Sequence, residues 1–187
     1  MENDGIEKQA LAFARKAHGD QKRKYKDELY IEHLIRVAEM VRTVAHTPEM
    51  IAAAYLHDVA EDTPVSLNQV AMTFGKKVGR LVEELTDEFT KAKYPHLNRR
   101  WRKKKETERI ATISWDAKTI KLADIIDNLP GVSQNDTGFA RKYIPEMEAL
   151  VEVLTEGNPE LLALAKEEVH LAKKTLENTK EVGRTHK

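Results

Sequence analysis

The sequence predicts an all-α fold, a compact bundle formed by one domain of 187 residues. Three observations predict it. Apolar residues recur at helical spacing in one segment after another, and no segment alternates convincingly between apolar and polar as a half-buried strand would. Proline and glycine are scarce, at 6 and 8 residues.

The first helix is expected over Ile6–Ala17, where Ile6, Ala10, Phe13, Ala14 and Ala17 share a face and Gly19 follows as a stop signal. DQKRKYKDE has no periodicity and reads as a basic loop. A second helix is expected from Ile31 to Ala45. Pro48 then opens a third at its first turn, running to Glu61, rich in alanine and largely buried. His57 and Asp58 fall inside it. Ser66 is an N-cap for a short helix, which Gly75 separates from KKVGRLVEELT, and residues 87–98 form a polar loop. Further helices are expected over Arg99–Thr112, Asp116–Asn128, Thr137–Thr155 and Pro159–Glu177. The domain is therefore expected to span residues 1–178, with 179–187 a flexible tail. No fixed-period repeat is present, which argues against a solenoid.

Composition narrows the function. Lys plus Arg and Asp plus Glu each total 31, so no overall field draws the chain toward nucleic acid or a membrane. With no cysteine, disulfides, zinc–thiolate sites and cysteine nucleophiles are excluded, and a metal would have to be held by histidine and carboxylate. The acidic N-terminus lacks a long apolar run, so neither signal peptide nor membrane span is expected and the location is cytoplasmic.

Three stretches stand out. In LHDVAEDT, Glu61 lies one helical turn beyond His57 and Asp58, and Asp62 one turn beyond Asp58. Such crowding is costly unless the groups are paired, hydrogen-bonded or bound to a cation. In KLADIIDNL, Asp124 interrupts an apolar stripe and shares a face with Asn128, four residues on. In YIEHLIRVA, His33 sits beside Ile31, Leu34 and Val37. On the residues alone each has a plain alternative: a satisfied core His–Asp pair with a solvated helix end, a polar helix edge, and a core or surface histidine. On the residues alone QKRKYK reads as a solvated basic loop, and the segment from Lys91 to Arg109, with nine basic residues against two glutamates, as a site for the pyrophosphate end of a substrate, an RNA-binding stretch or a wet helix face.

Taken in order, Tyr30-x-x-His33, His57-Asp58 and Asp124 resemble the HD superfamily of metal-dependent phosphohydrolases. HDVAEDT, KLADIIDNL and AHGDQKRKYKDELYIEH are more narrowly similar to the hydrolase domain of the alarmone synthetase-hydrolases and to the small alarmone hydrolases, over about residues 10–154. The resemblance implies an HD-type helical bundle in which His33, His57, Asp58 and Asp124 hold one divalent metal, usually manganese. It implies acid/base roles for Glu61 and Asp62, a place near the nucleoside for Asn128, and one near base and phosphates for Arg23 and Lys24. Tyr143 matches a substrate-side tyrosine, and Arg141 is the arginine nearby, although it does not fall cleanly on the family's position. Leu34 replaces the family's usual proline, and the loop before Tyr30 is one residue longer.

The implied activity is removal of the 3′-pyrophosphate of guanosine tetraphosphate or pentaphosphate, giving GDP or GTP. The synthetase and regulatory domains of the long enzymes are not expected after residue 178. The alternatives are another nucleotide, such as an adenosine alarmone or NADPH, on the same metal site, or an idle nucleotide- or RNA-binding protein. The expected partner is a small nucleotide, with no membrane and with nucleic acid disfavoured.

Overall fold

A computed structural model describes residues 3–24 and 26–182. Helix α1, Asn3–His18, places Ala10 and Ala14 in the core, and Gly19 ends it with φ +52, its N–H reaching the Arg15 carbonyl. Residues 19–24 and 26–29 are held by backbone hydrogen bonds and form more than a plain loop. Arg23 donates to the Glu28 carbonyl and Tyr30 to the Gln21 carbonyl, and Lys22 and Leu29 form an isolated antiparallel bridge. This small excursion leads straight into α2, Tyr30–Arg42.

Thr47 caps α3, Pro48–Leu56, by accepting the Met50 N–H, and every residue from Met50 to Leu56 is buried. This helix is the centre of the first half, flanked by α1 and α2. The expected continuous helix to Glu61 is not found. His57 and Asp58 form a turn, with Asp58 at φ −98 and ψ −2, before a short α4, Val59–Asp62. That break, in the sparsely populated bridge region, re-aims two polar side chains that a straight helix would hold on its own cylinder.

Helix α5, Leu67–Leu85, is capped by Ser66 and divided at Gly75, whose φ of 87 and ψ of 166 are non-helical, as the sequence leads one to expect. Asn98 caps α6, Arg99–Ile110, and Ser114 caps α7, Trp115–Asn135. Helix α7 runs seven residues beyond the expected end at Asn128. Pro130 removes one ladder donor, but Asn135 bonds back to the Gly131 carbonyl and Asp136 N–H to the Val132 carbonyl, so the last turn holds. Asp136 also caps α8, Thr137–Val153, through the Phe139 N–H. Helix α9 is Pro159–Val182, reaching past the expected limit at Glu177; residues 183–187 of the expected tail lie outside the described residues.

Helix α7 is the second centre, packed by α2, α8 and α9. Among the described residues there are nine helical elements and no strand, and no helix is long and apolar enough to cross a membrane.

Candidate active site

Three elements bring the polar residues together: His33 from α2, His57 and Asp58 from the turn after α3, and Asp124 from α7. Each backbone is anchored by apolar neighbours, Ile31 and Leu34 around His33, Leu56 and Val59 around the turn, Ala123 and Ile125 around Asp124, all buried. His33 Nε2 lies 3.4 Å from Asp124 Oδ1 and 3.6 Å from Asp58 Oδ2. His57 Nε2 lies 3.1 Å from Asp58 Oδ2 and 3.6 Å from Asp124 Oδ1. Potential ligand atoms of His33, His57 and Asp58 fall within 4.8 Å of one another.

The imidazoles are held from behind. His57 Nδ1 is 2.8 Å from the Ala54 carbonyl, which can only accept, so Nδ1 carries a proton and Nε2 points inward. His33 Nδ1 is 2.7 Å from Asp127 Oδ2. Arg36 donates to both oxygens of Asp127 and both of Glu28, completing a carboxylate–histidine support. Both Nε2 atoms are buried without a hydrogen-bond partner. Two unpartnered imidazole nitrogens facing two carboxylates form, once the imidazoles are neutral, a mixed nitrogen and oxygen donor set that fits a divalent cation.

The electrostatics agree. Burial disfavours the charged form of His33, but the facing carboxylates of Asp124, Asp127 and Asp58 outweigh it and raise its pKa to about 9. His57 is also raised, burial being overcome by Asp58 and Asp124. Asp58 and Asp124 are held well below the usual carboxylate range despite burial, the first by His57 and His33, the second by Lys121 and the same two histidines. Without a cation, the site balances its carboxylates by holding protons on imidazole. Tyr30 donates to Asp58 Oδ2 at 2.6 Å, and Asn128 and Lys121 donate to the two oxygens of Asp124 at 2.6 and 2.8 Å.

Glu61 and Asp62 line the cleft above this centre with Asp87, Lys103 and Tyr143. Glu61 Oε1 accepts the Asp87 N–H at 2.7 Å. Burial, then the charges of Asp87 and Asp58, push its pKa up to about 7, while much of the residue stays open to solvent, so the shift belongs to a crowded, wet cleft mouth. Asp62 Oδ2 accepts from Gln21 Nε2 at 3.1 Å, and Gln21 Oε1 is 2.9 Å from Nδ1 of buried His18. His18 in turn stacks on Tyr30, with ring centroids 5.0 Å apart.

Of the other expected residues, Arg23 lies beside the centre, 3.7 Å from Asp127 Oδ2 and over the Tyr30 ring. Lys24 sits over the Phe139 ring, which stacks on Tyr143. Arg141 is the exception. It is exposed and lines a different groove, between α6 and α8, because its place on α8 is two residues before Tyr143, toward another face of the helix. The structure places it apart from the lining of this cleft.

Sequence reasoning missed Asp127, Arg36, Glu28, Gln21 and Asp87. The signals for two of them were available, since Arg36 follows His33 by three and Asp127 follows Asp124 by three. Asp87 carried none. Its loop is placed by buried Glu106, which accepts the N–H groups of Glu88 and Phe89 and is held by Arg109.

An all-helical domain with a His–Asp turn facing a histidine and an aspartate from two other helices defines the HD class. The family model described as the HD domain matches residues 10–147, and the chain belongs to that family. Within it, the chain is 37% identical over 142 residues to the mouse guanosine-3′,5′-bis(diphosphate) 3′-pyrophosphohydrolase MESH1, covering 74% of this chain and 76% of that protein. It is 40% identical over 124 residues to the human MESH1, covering 65% and 66% of the two. A solved structure of a metazoan ortholog of SpoT, described as hydrolysing ppGpp, superposes with a TM-score of 0.77 at 32% identity, covering 89% of this chain and 94% of that one.

Proposed function

We propose that the protein hydrolyses the 3′-pyrophosphate of guanosine tetraphosphate or pentaphosphate, releasing pyrophosphate and GDP or GTP, in the cytoplasm. One observation carries the reading: two orphaned imidazole nitrogens and two carboxylates converge directly below Glu61 and Asp62. The names of the relatives supply the substrate.

His33, His57, Asp58 and Asp124 would hold one divalent cation, for which we propose manganese. When bound, it supplies Lewis-acid neutralisation at phosphorus and lowers the pKa of water. Asp62, oriented by Gln21, accepts the proton of the attacking water as its oxygen bonds to the 3′-phosphorus. The bond from phosphorus to O3′ breaks, and Glu61, with a pKa near neutrality, returns a proton to O3′. Arg23 and Lys24 take the phosphates and base, and Asn128 and Tyr143 border the nucleoside.

Incubation with manganese and guanosine tetraphosphate should yield GDP and pyrophosphate by anion exchange. Asp58→Ala should lose metal and turnover together; turnover retained in that variant would reject the ligand set. Glu61→Gln should keep metal while kcat falls by about 10² or more, and an unchanged rate would remove its acid/base role.

A further inference from the structure

Six of the seven residues from Arg99 to Lys105 are basic, and they fill the first two turns of α6. Cations there oppose the positive end of the helix dipole and repel one another at helical spacing. Only Glu106 and Ile110 of this helix are buried, so apolar packing offsets little of that cost. Local rules broken in this way mark candidate functional surfaces.

Some of these cations have structural duties. Arg99 holds Glu146 through two hydrogen bonds of 2.8 and 2.7 Å, Arg102 donates to the Leu97 carbonyl, and Lys103 pairs with Asp87. Arg100 has no acidic partner among the described residues, and neither do Arg141 and Lys142 on α8. These three line one open groove of about 1060 Å³ between α6 and α8. Trp101 lies in the same groove, 52% exposed, with the Lys104 ammonium 5.2 Å from its ring centroid. Of the two carboxylates in the groove, Glu146 is neutralised by Arg99, and Glu108 stands 3.9 Å from Lys104.

We propose that this groove binds single-stranded nucleic acid, with phosphates on Arg100, Arg141 and Lys142 and a base stacked on Trp101. The uncommitted cations call for a polyanion, which would also relieve the charge opposing the α6 dipole. The exposed indole selects nucleic acid over an acidic peptide, because every base offers a face for stacking, worth about 1–3 kcal/mol. The volume, at the upper limit of about 300–1,000 Å³ for single small ligands, suits a strand of more than one nucleotide. With zero net charge on the whole chain, the attraction is local. Lys103, Thr107 and Glu146 line both groove and cleft, so the hydrolase substrate is the rival occupant.

The chain has two tryptophans, so Trp115→Phe leaves Trp101 as the fluorescent reporter. Titration with an oligouridylate of about a dozen nucleotides, within the span of known single-strand sites, should quench its emission to saturation. With three phosphate contacts at about 0.7 released counterions each, the log–log salt slope should be about −2. Anisotropy of a labelled strand should show binding weakened about tenfold or more by Trp101→Ala and by the triple change Arg100→Glu, Arg141→Glu, Lys142→Glu. Hydrolysis and helical circular dichroism should be retained in both; should the triple reversal unfold, the corresponding triple alanine variant takes its place. Absence of quenching and of anisotropy change overturns the proposal. So does equal binding of polyglutamate, which would make the face a general polyanion surface. Quenching by guanosine tetraphosphate in competition with the strand, or loss of hydrolysis in a folded triple variant, would instead make the groove an extension of the substrate cleft.

Discussion

At the scale of single residues, the site depends on groups that touch neither metal nor substrate. Asp127 orients His33 and is itself fixed by Arg36, so Asp127→Ala should weaken manganese binding about 10–100-fold. Isothermal titration of the metal-free protein measures this directly, and unchanged affinity would dismiss the support as incidental. Gln21 offers a second case. Its amide reads His18 on one side and Asp62 on the other, and the unpartnered His18 Nε2 places the ring proton on Nδ1, leaving the Gln21 NH₂ to face the carboxylate. Gln21→Glu replaces that donor with a second negative charge, so kcat should drop about tenfold with KM within about twofold. A matching rise in KM would mean that the residue serves binding instead. The four proposed ligands and both acid/base carboxylates were legible only through the order of motifs that resembles the HD family, since on spacing alone each kept a plain alternative. Asp127, Gln21 and Arg36 were not singled out, since their importance lies in partners up to 94 residues away.

At the scale of elements, helix number and order were legible wherever apolar spacing and caps agreed, as for α5, whose division at Gly75 follows from the residue alone. The turn at His57–Asp58 was not. Its backbone departs only slightly from helix, and its reason, aiming two side chains at α2 and α7, is tertiary. The extension of α7 was hidden for the opposite reason, because Pro130-Gly131 is a strong local stop signal overridden by later hydrogen bonds. The kink in α5 yields a prediction of its own. Gly75, at φ +87 and ψ 166, occupies a region nearly closed to residues with a Cβ. The bend brings Gly79 against Ala71, where an added Cβ would sit 2.6 Å from the Ala71 Cβ. Gly75→Ala and Gly79→Ala should each destabilise by about 1–3 kcal/mol through strain and overpacking respectively. At about 2–4 °C per kcal/mol for a domain of this size, thermal midpoints should fall by several degrees. Unshifted midpoints would show that the two halves of α5 can slide apart freely.

At the scale of the whole molecule, the site is also a fastener. Its proposed ligands come from α2, from the turn between α3 and α4, and from α7, so a bound cation ties the first helical centre to the second. At about a hundredfold excess over Kd, binding adds about 2.7 kcal/mol to stability, equivalent to about 5–11 °C in thermal midpoint. Chelation should remove that increment. Its size should depend on pH, with a definite sign. In the metal-free protein the carboxylates raise His33 to about 9, and His57 is raised too. A histidine raised above its unfolded value of about 6.5 stabilises the fold fully below that value and loses the contribution as pH climbs through the folded pKa. A cation needs the deprotonated imidazoles, so it competes with those protons and binds more tightly as pH rises from about 6.5 to about 9. Metal-free and metal-loaded midpoints should therefore lie closer together at the acidic end of this window than at the alkaline end. Melting curves with manganese or chelator across the window test this, with calorimetric proton release as the independent check. A gap that stays constant, with no protons released, would mean that the imidazoles are already neutral in the metal-free protein, and the balance of charge assigned to the site would have to be abandoned.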